Sequence, residues 1–253
     1  MLWHKAWIDT RWRCLIGLAV LLLSAMGTVF GYQLVSSKAL DITAPQGSGM
    51  VAAAIREALE LSRTFKGYVW LNAFSQNLSQ LGTLFAILLG GGALRSEAPG
   101  TLYTLSLPFS RRALMTTRAA TGLAELLAIT IVPALAIAVL APAVGERYSI
   151  LDALVHGVCL FAGTAVFFSL TFLLSTSFPD PWRPPIIACG IAVVIGMFET
   201  FFGRVAPVGI FHVIHGESYF RGDGVPWLGL VVVVAISAVL LRVAIAAIER
   251  QDF

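Results

Sequence analysis

Apolar residues in this chain fall into six long blocks divided by shorter polar stretches. The blocks lie at about 14–35, 70–94, 123–144, 153–177, 186–202 and 226–248, and most match the roughly 20 residues with which an α-helix crosses the hydrocarbon of a bilayer. They predict an all-α, polytopic membrane protein with six transmembrane helices in a single transmembrane domain over residues 1–253. The second block stays uncharged for so long that its helix must tilt or project beyond the bilayer. Pro133 should kink the third.

The polar stretches carry patterns of their own. Lys5, Arg11 and Arg13 are interleaved with Trp3, Trp7 and Trp12 ahead of the first block. Tryptophan among cations suits the headgroup layer, so an N-terminal interfacial helix is expected to lead into span 1. After span 1, a Pro45-Gln46-Gly47-Ser48-Gly49 linker opens onto Val51, Ile55, Leu59 and Leu61 set against Arg56, Glu57, Glu60 and Arg63, the pattern of an amphipathic surface helix. Between spans 2 and 3, Pro99 and Gly100 stop the incoming helix, Thr101 suits the N-cap of a new one, and Pro108 ends it. That short helix carries Leu102 and Leu105 as apolar plugs, with Ser110, Arg111 and Arg112 behind it. Before span 6, the run 205–211 is apolar yet too short to cross, which predicts a re-entrant or interfacial element.

Composition agrees with this layout. The chain is 58% hydrophobic and only 12% charged, about half the charged share of a soluble domain. Its net charge of +3 does not signal nucleic acid, because the Lys and Arg flank the spans. Ten of these 17 cations lie on the side that holds the N-terminus, residues 95–122, the turn 178–185 and the tail from Arg242; seven lie on the other. That bias places the termini in the cytoplasm, as expected for a multi-pass protein of the inner (plasma) membrane surrounded by membrane lipid. Cys14, Cys159 and Cys189 all fall within apolar blocks and lack metal-binding spacing.

Few residues inside the blocks are candidates for chemistry. Asn72, Gln76 and Gln80 recur at i, i+4 and i+8, so one helical face carries three amides. Amides facing lipid are costly, so this face should meet either another helix or the wet wall of a translocation path. Glu199 stands at membrane depth five residues before Arg204, and an ion pair is the first expectation for it. His212, His215 and Glu217 could in principle hold zinc, but the H-E-x-x-H spacing is absent and packing within a loop is the simpler reading. No G-x-x-x-x-G-K-[ST] occurs, so these residues include no phosphate-cradling loop.

The stretch from Arg95 to Arg112 supplies the one family signal. Glu97, then Gly100-Thr101-Leu102, then Leu105 and Pro108, then Ser110-Arg111 resembles the coupling-helix region of the ABC-2 family of ABC transporter permeases. The charged end Glu249-Arg250-Gln251-Asp252-Phe253 is similar to the tails of many such permeases; Arg118 stands where members often carry Lys. The resemblance implies a permease subunit of an ATP-driven exporter with no cofactor of its own. ATP and Mg would be bound by a separate ABC ATPase, present in two copies and contacted through Glu97, Gly100, Thr101, Leu102, Leu105, Pro108, Ser110 and Arg111. It implies as partner a second permease copy or a related permease chain, and the path residues would be Asn72, Gln76, Gln80 and Glu199. Two other readings stay open. One is a proton-coupled secondary transporter working through Glu199 or Glu125, and the other is a membrane-embedded enzyme using His212, His215 and Glu217.

Overall fold

The structure, a computed structural model, describes residues 2–39, 49–91, 111–178, 180–202 and 209–249. Every element among them is helical. In chain order they are α1 (Leu2–Ala39), α2 (Met50–Ser62), α3 (Phe65–Val69), a π-helical segment (Trp70–Asn77), α4 (Leu78–Gly90), α5 (Arg111–Leu140), a 3-10 turn (Ala141–Val144), α6 (Ile150–Ser177), α7 (Arg183–Phe202), α8 (Ile210–His215), α9 (Glu217–Arg221) and α10 (Trp227–Glu249).

Among the described residues five helices are long and apolar enough to cross a membrane: Thr10–Val35, Arg112–Val144, Ile150–Ser177, Arg183–Thr200 and Trp227–Ile248. The block expected to form span 2 is helical from Phe65 to Gly90, but the π segment divides it, so no single regular helix within it reaches spanning length. Leu2 and Glu249 lie at one end of the bundle, hereafter the termini end, together with the close of α4, the start of α5 and the α6–α7 turn. The opposite, loop end carries α2, α3, α8 and α9.

The helix α6 is the hub. It packs against α4, α5, α7, α8 and α10, and 72% of its spanning window is buried, against 22% for α7 and 17% for α10. That difference assigns the helices their surroundings. Phe167, Phe168 and Leu160 of α6 are wholly enclosed, whereas Val194 and Phe198 of α7 and Val231, Val234 and Val239 of α10 are exposed. In a bilayer those faces meet lipid tails, so apolar exposure there carries no penalty.

Several local features depart from the sequence pattern. The N-terminal segment is no separate interfacial helix: α1 runs unbroken for 38 residues, about 57 Å at 1.5 Å per residue. Nothing interrupts it because residues 3–13 contain neither Pro nor Gly, and Thr10 and Cys14 are already buried in the bundle. Its Arg13 guanidinium donates to the carbonyl of Leu88 (2.9 Å) and to that of Gly91, covering the open end of α4. The helix α5 begins a dozen residues before the apolar block, at Arg111. Polar Thr116, Thr117 and Thr121 fit into it because their hydroxyls donate to carbonyls one turn back. It continues through Pro133. At the loop end Ser149 caps α6 by accepting from the Asp152 amide, and Asp152 then ties α3 and α9 together, with Lys66 at 2.9 Å and the Tyr219 hydroxyl donating at 2.7 Å.

Candidate functional site

The polar groups of the bundle converge where the π segment, α4, α7 and the α8–α9 pair meet. The key element is α8, six residues long, too short to stand alone. It is wedged into the bundle rather than lying on it. Ile214 fills the space beside Gly163, where any Cβ would collide with it, and Phe211 packs on Phe167 with ring centroids 5.5 Å apart. Gly163 and Phe167 are 13 and 17 residues into α6 from its loop end, so α8 reaches roughly 20–25 Å down that helix. The apolar run expected before span 6, 205–211, overlaps α8 at residues 210 and 211, and residues 205–208 lie outside the described residues.

Backbone at such depth needs its polar groups satisfied from within the protein. Both ends of α8 are served by side chains from neighbouring elements. At its N-terminus the Glu199 carboxylate of α7 accepts from the amides of Ile210 (2.7 Å), Phe211 (2.9 Å) and His212 (3.2 Å). A negative group there also complements the helix dipole. The fit leaves no room for a side chain at Gly209, whose Cβ would strike the carboxylate. At its C-terminus the Trp70 indole of the π segment donates to the carbonyl of His215 (3.0 Å) and stacks on Phe220 at 4.4 Å. Gly216, at φ +59°, then turns the chain into α9.

Around this wedge lies a partly open cavity of about 890 Å³. Its wall includes Ser75, Ser79, Gln80, Glu199, His212 and Glu217. A second, apolar cavity of about 420 Å³ runs between α4 and α7, past Leu84, Ile87, Val193 and Met197. The two share Gln80, Gly196, Thr200 and Phe211 in their walls, so they adjoin. Both volumes lie within the range of small-molecule sites.

The histidine cluster forms a paired network. His212 Nδ1 lies 3.1 Å from Glu217 Oε2 and its Nε2 lies 3.0 Å from the Ser218 hydroxyl, while Arg221 contacts Glu217 Oε1 at 2.5 Å. The hydrogen bond to Glu217 raises the His212 pKa above its ordinary value, and the same bond holds the Glu217 carboxyl below the usual range. Burial pushes His215 the other way, down to about 4. Its ring packs against Phe211. Among the described residues no group of three or more His, Cys, Asp or Glu is placed to hold a metal ion.

The expected path residues divide. Gln80 and Glu199 line the chamber. Asn72 instead donates its amide to the carbonyl of Tyr68 in its own helix, and Gln76 is exposed away from both cavities. Glu199 does not depend on an ion pair, since both oxygens are engaged by backbone amides; Arg204 lies outside the described residues. Outside them too lie Glu97, Gly100, Thr101, Leu102, Leu105, Pro108 and Ser110, while Arg111 opens α5. Their segment is bounded by Gly91 and Arg111, both at the termini end. Glu125 of α5 is 3% exposed, with Oε1 2.5 Å from the Thr10 hydroxyl and Oε2 without a partner among the described residues.

Ser75, Ser79 and Asp152 were not singled out by sequence. For Asp152 a signal existed: Ser149 three residues ahead of an acidic residue at the head of an apolar run is a capping pattern. No known protein family, curated protein or solved structure matches the chain.

Proposed function

We propose that the chain is the transmembrane permease subunit of an ATP-driven exporter of the ABC-2 type. It would contribute half of a translocation path and take its energy from a separate ATPase through residues 95–112. The observation that carries this reading is the polarity of the bundle. The segment bearing the ABC-2-like motif is tethered at the termini end, whereas the larger cavity lies among the loop-end elements and the groove runs beside α4 from Gln80 to Ile87, so drive and path are linked along α4. In this reading the Phe65–Gly90 stretch completes a six-span set, both termini are cytoplasmic, and two permease copies associate with two ATPase subunits.

The mechanism follows from how α4 is held. Arg13 of α1 pins its end at Leu88 and Gly91, and Trp70 pins its upper extension to α8. A push on residues 95–112 is therefore carried along α4 to the π segment, whose wider turn and weaker register make it the softest part of that helix. Movement there shifts Ser75, Ser79 and Gln80 against α7 and α8 and reshapes the chamber. The apolar pair Leu102 and Leu105 would seat in the ATPase groove. Leu105→Asp is expected to leave the chain in the membrane at wild-type level while uncoupling ATP hydrolysis from transport in proteoliposomes. Transport at the wild-type rate by that variant would refute the lever.

A further inference from the structure

We propose that the adjoining chamber and groove bind an amphipathic organic cation, with its charged head between α2 and α9 and its apolar tail between α4 and α7. The assignment rests on the transport reading above and names the class of cargo the path accepts.

Charge decides the head. Among the described residues the chamber wall holds four carboxylates, Glu57, Glu199, Glu217 and Asp223, against the Arg221 guanidinium and the imidazoles of His212 and His215. Two of the four are spent inside the protein: Glu199 on three backbone amides and Glu217 on Arg221 and His212. Arg221, committed to Glu217 at 2.5 Å, is 3.8 Å from Glu57. Asp223 and Glu57, the latter held by Arg221 only at the longer distance, are both exposed and can face an incoming charge. A phosphate or carboxylate head would meet this excess of negative charge, and an ammonium would be drawn to it.

The groove decides the tail. Leu84, Ile87, Val193 and Met197 present hydrocarbon along its length, and Phe211 stands at the junction with the chamber. A chain following this route passes Gln80 and Thr200, the two polar side chains common to both cavities. One wall residue is unfinished: the buried hydroxyl of Thr83 has no hydrogen-bond partner among the described residues. An ester or ether oxygen a little below the head would complete it, since a buried polar atom without a partner is costly.

Binding to the purified chain alone tests this. The chain is placed in phosphatidylcholine nanodiscs, radiolabelled decyltrimethylammonium is added, and bound counts are corrected with empty nanodiscs. Saturable binding near one cation per chain is expected, unaffected by equimolar decyl sulfate. The surface pair E57Q/D223N should raise Kd roughly fivefold, the effect of two partly screened charges. Affinity should rise from hexyl to decyl, and Val193→Trp, at an exposed groove position, should erase that gain. Binding no greater than in empty nanodiscs, equal competition by the sulfate, or an unchanged Kd in E57Q/D223N would each overturn the proposal. No ATPase is needed: binding without ATPase recruitment would leave this site standing and remove only the permease reading, while recruitment without saturable binding would do the reverse.

Discussion

Replacing Glu199 with Ala removes the group that accepts from three consecutive amides at the head of α8. Each buried amide left without an acceptor costs about 1–3 kcal/mol. Water entering from the adjoining chamber would serve part of that need, which favours the low end and a total near 3 kcal/mol, more than the roughly 1 kcal/mol of an ordinary surface cap. At 1.4 kcal/mol per factor of ten, local opening of α8 should become about a hundredfold more frequent. Glu199→Gln keeps one carbonyl oxygen and should lose about half as much. Hydrogen–deuterium exchange in nanodiscs reads this directly, since residues 209–216 should exchange faster while the middle of α6 keeps its protection. Unchanged exchange over 209–216 in Glu199→Ala would refute the cap as what holds α8 in place.

Three further outcomes follow from the same contacts. The stability of the α8–α9 unit should peak near pH 6.5. His212, with its pKa raised in the folded protein, stabilises fully below its unfolded value of 6.5 and less as pH rises through the folded value. His215, lowered to about 4, makes folding lose stability as pH falls from 6.5 toward 4, because only the unfolded chain takes the proton. Exchange across a pH series should show His212→Asn flattening the alkaline side and His215→Phe the acid side. Ile214→Ala should cost about 2–4 kcal/mol through the cavity left beside Gly163, and adding Gly163→Val should cost less in that background than alone, as a thermal-unfolding double-mutant cycle would record. Arg13→Ala frees the carbonyls of Leu88 and Gly91. It should lower transport-coupled ATP hydrolysis several-fold while leaving ATPase association intact, measured on the reconstituted complex.

Unbroken apolar length made five of the six expected spans legible as long helices, though α1 and α5 each begin about a dozen residues before their apolar blocks. The errors share a cause. Thr116, Thr117 and Thr121 hid the first three turns of α5, since a threonine that bonds its own backbone costs a helix little yet reads as polar. The tryptophans and cations of residues 3–12 mimicked a separate surface helix, although nothing in that stretch breaks the backbone. The π segment left no signature in the residue pattern; it follows from tertiary contacts such as the Trp70 bond to His215. The three amides of the expected face part company in the structure. Gln80 reaches the chamber, while Asn72 found a carbonyl in its own helix, a choice that spacing cannot reveal. Glu199 was legible as a group needing a partner, but its partners are backbone amides of a short helix whose fold depends on it.

The central claim is that this bundle is driven by a separate ATPase through residues 95–112. Its most direct test is affinity capture of the detergent-solubilised chain from its native membrane, with retained proteins identified and quantified by mass spectrometry. Stoichiometric recovery of a P-loop ATPase, lost with Leu105→Asp, is the predicted result. A chain that purifies without any ATPase at every salt concentration in native-like lipid would contradict it.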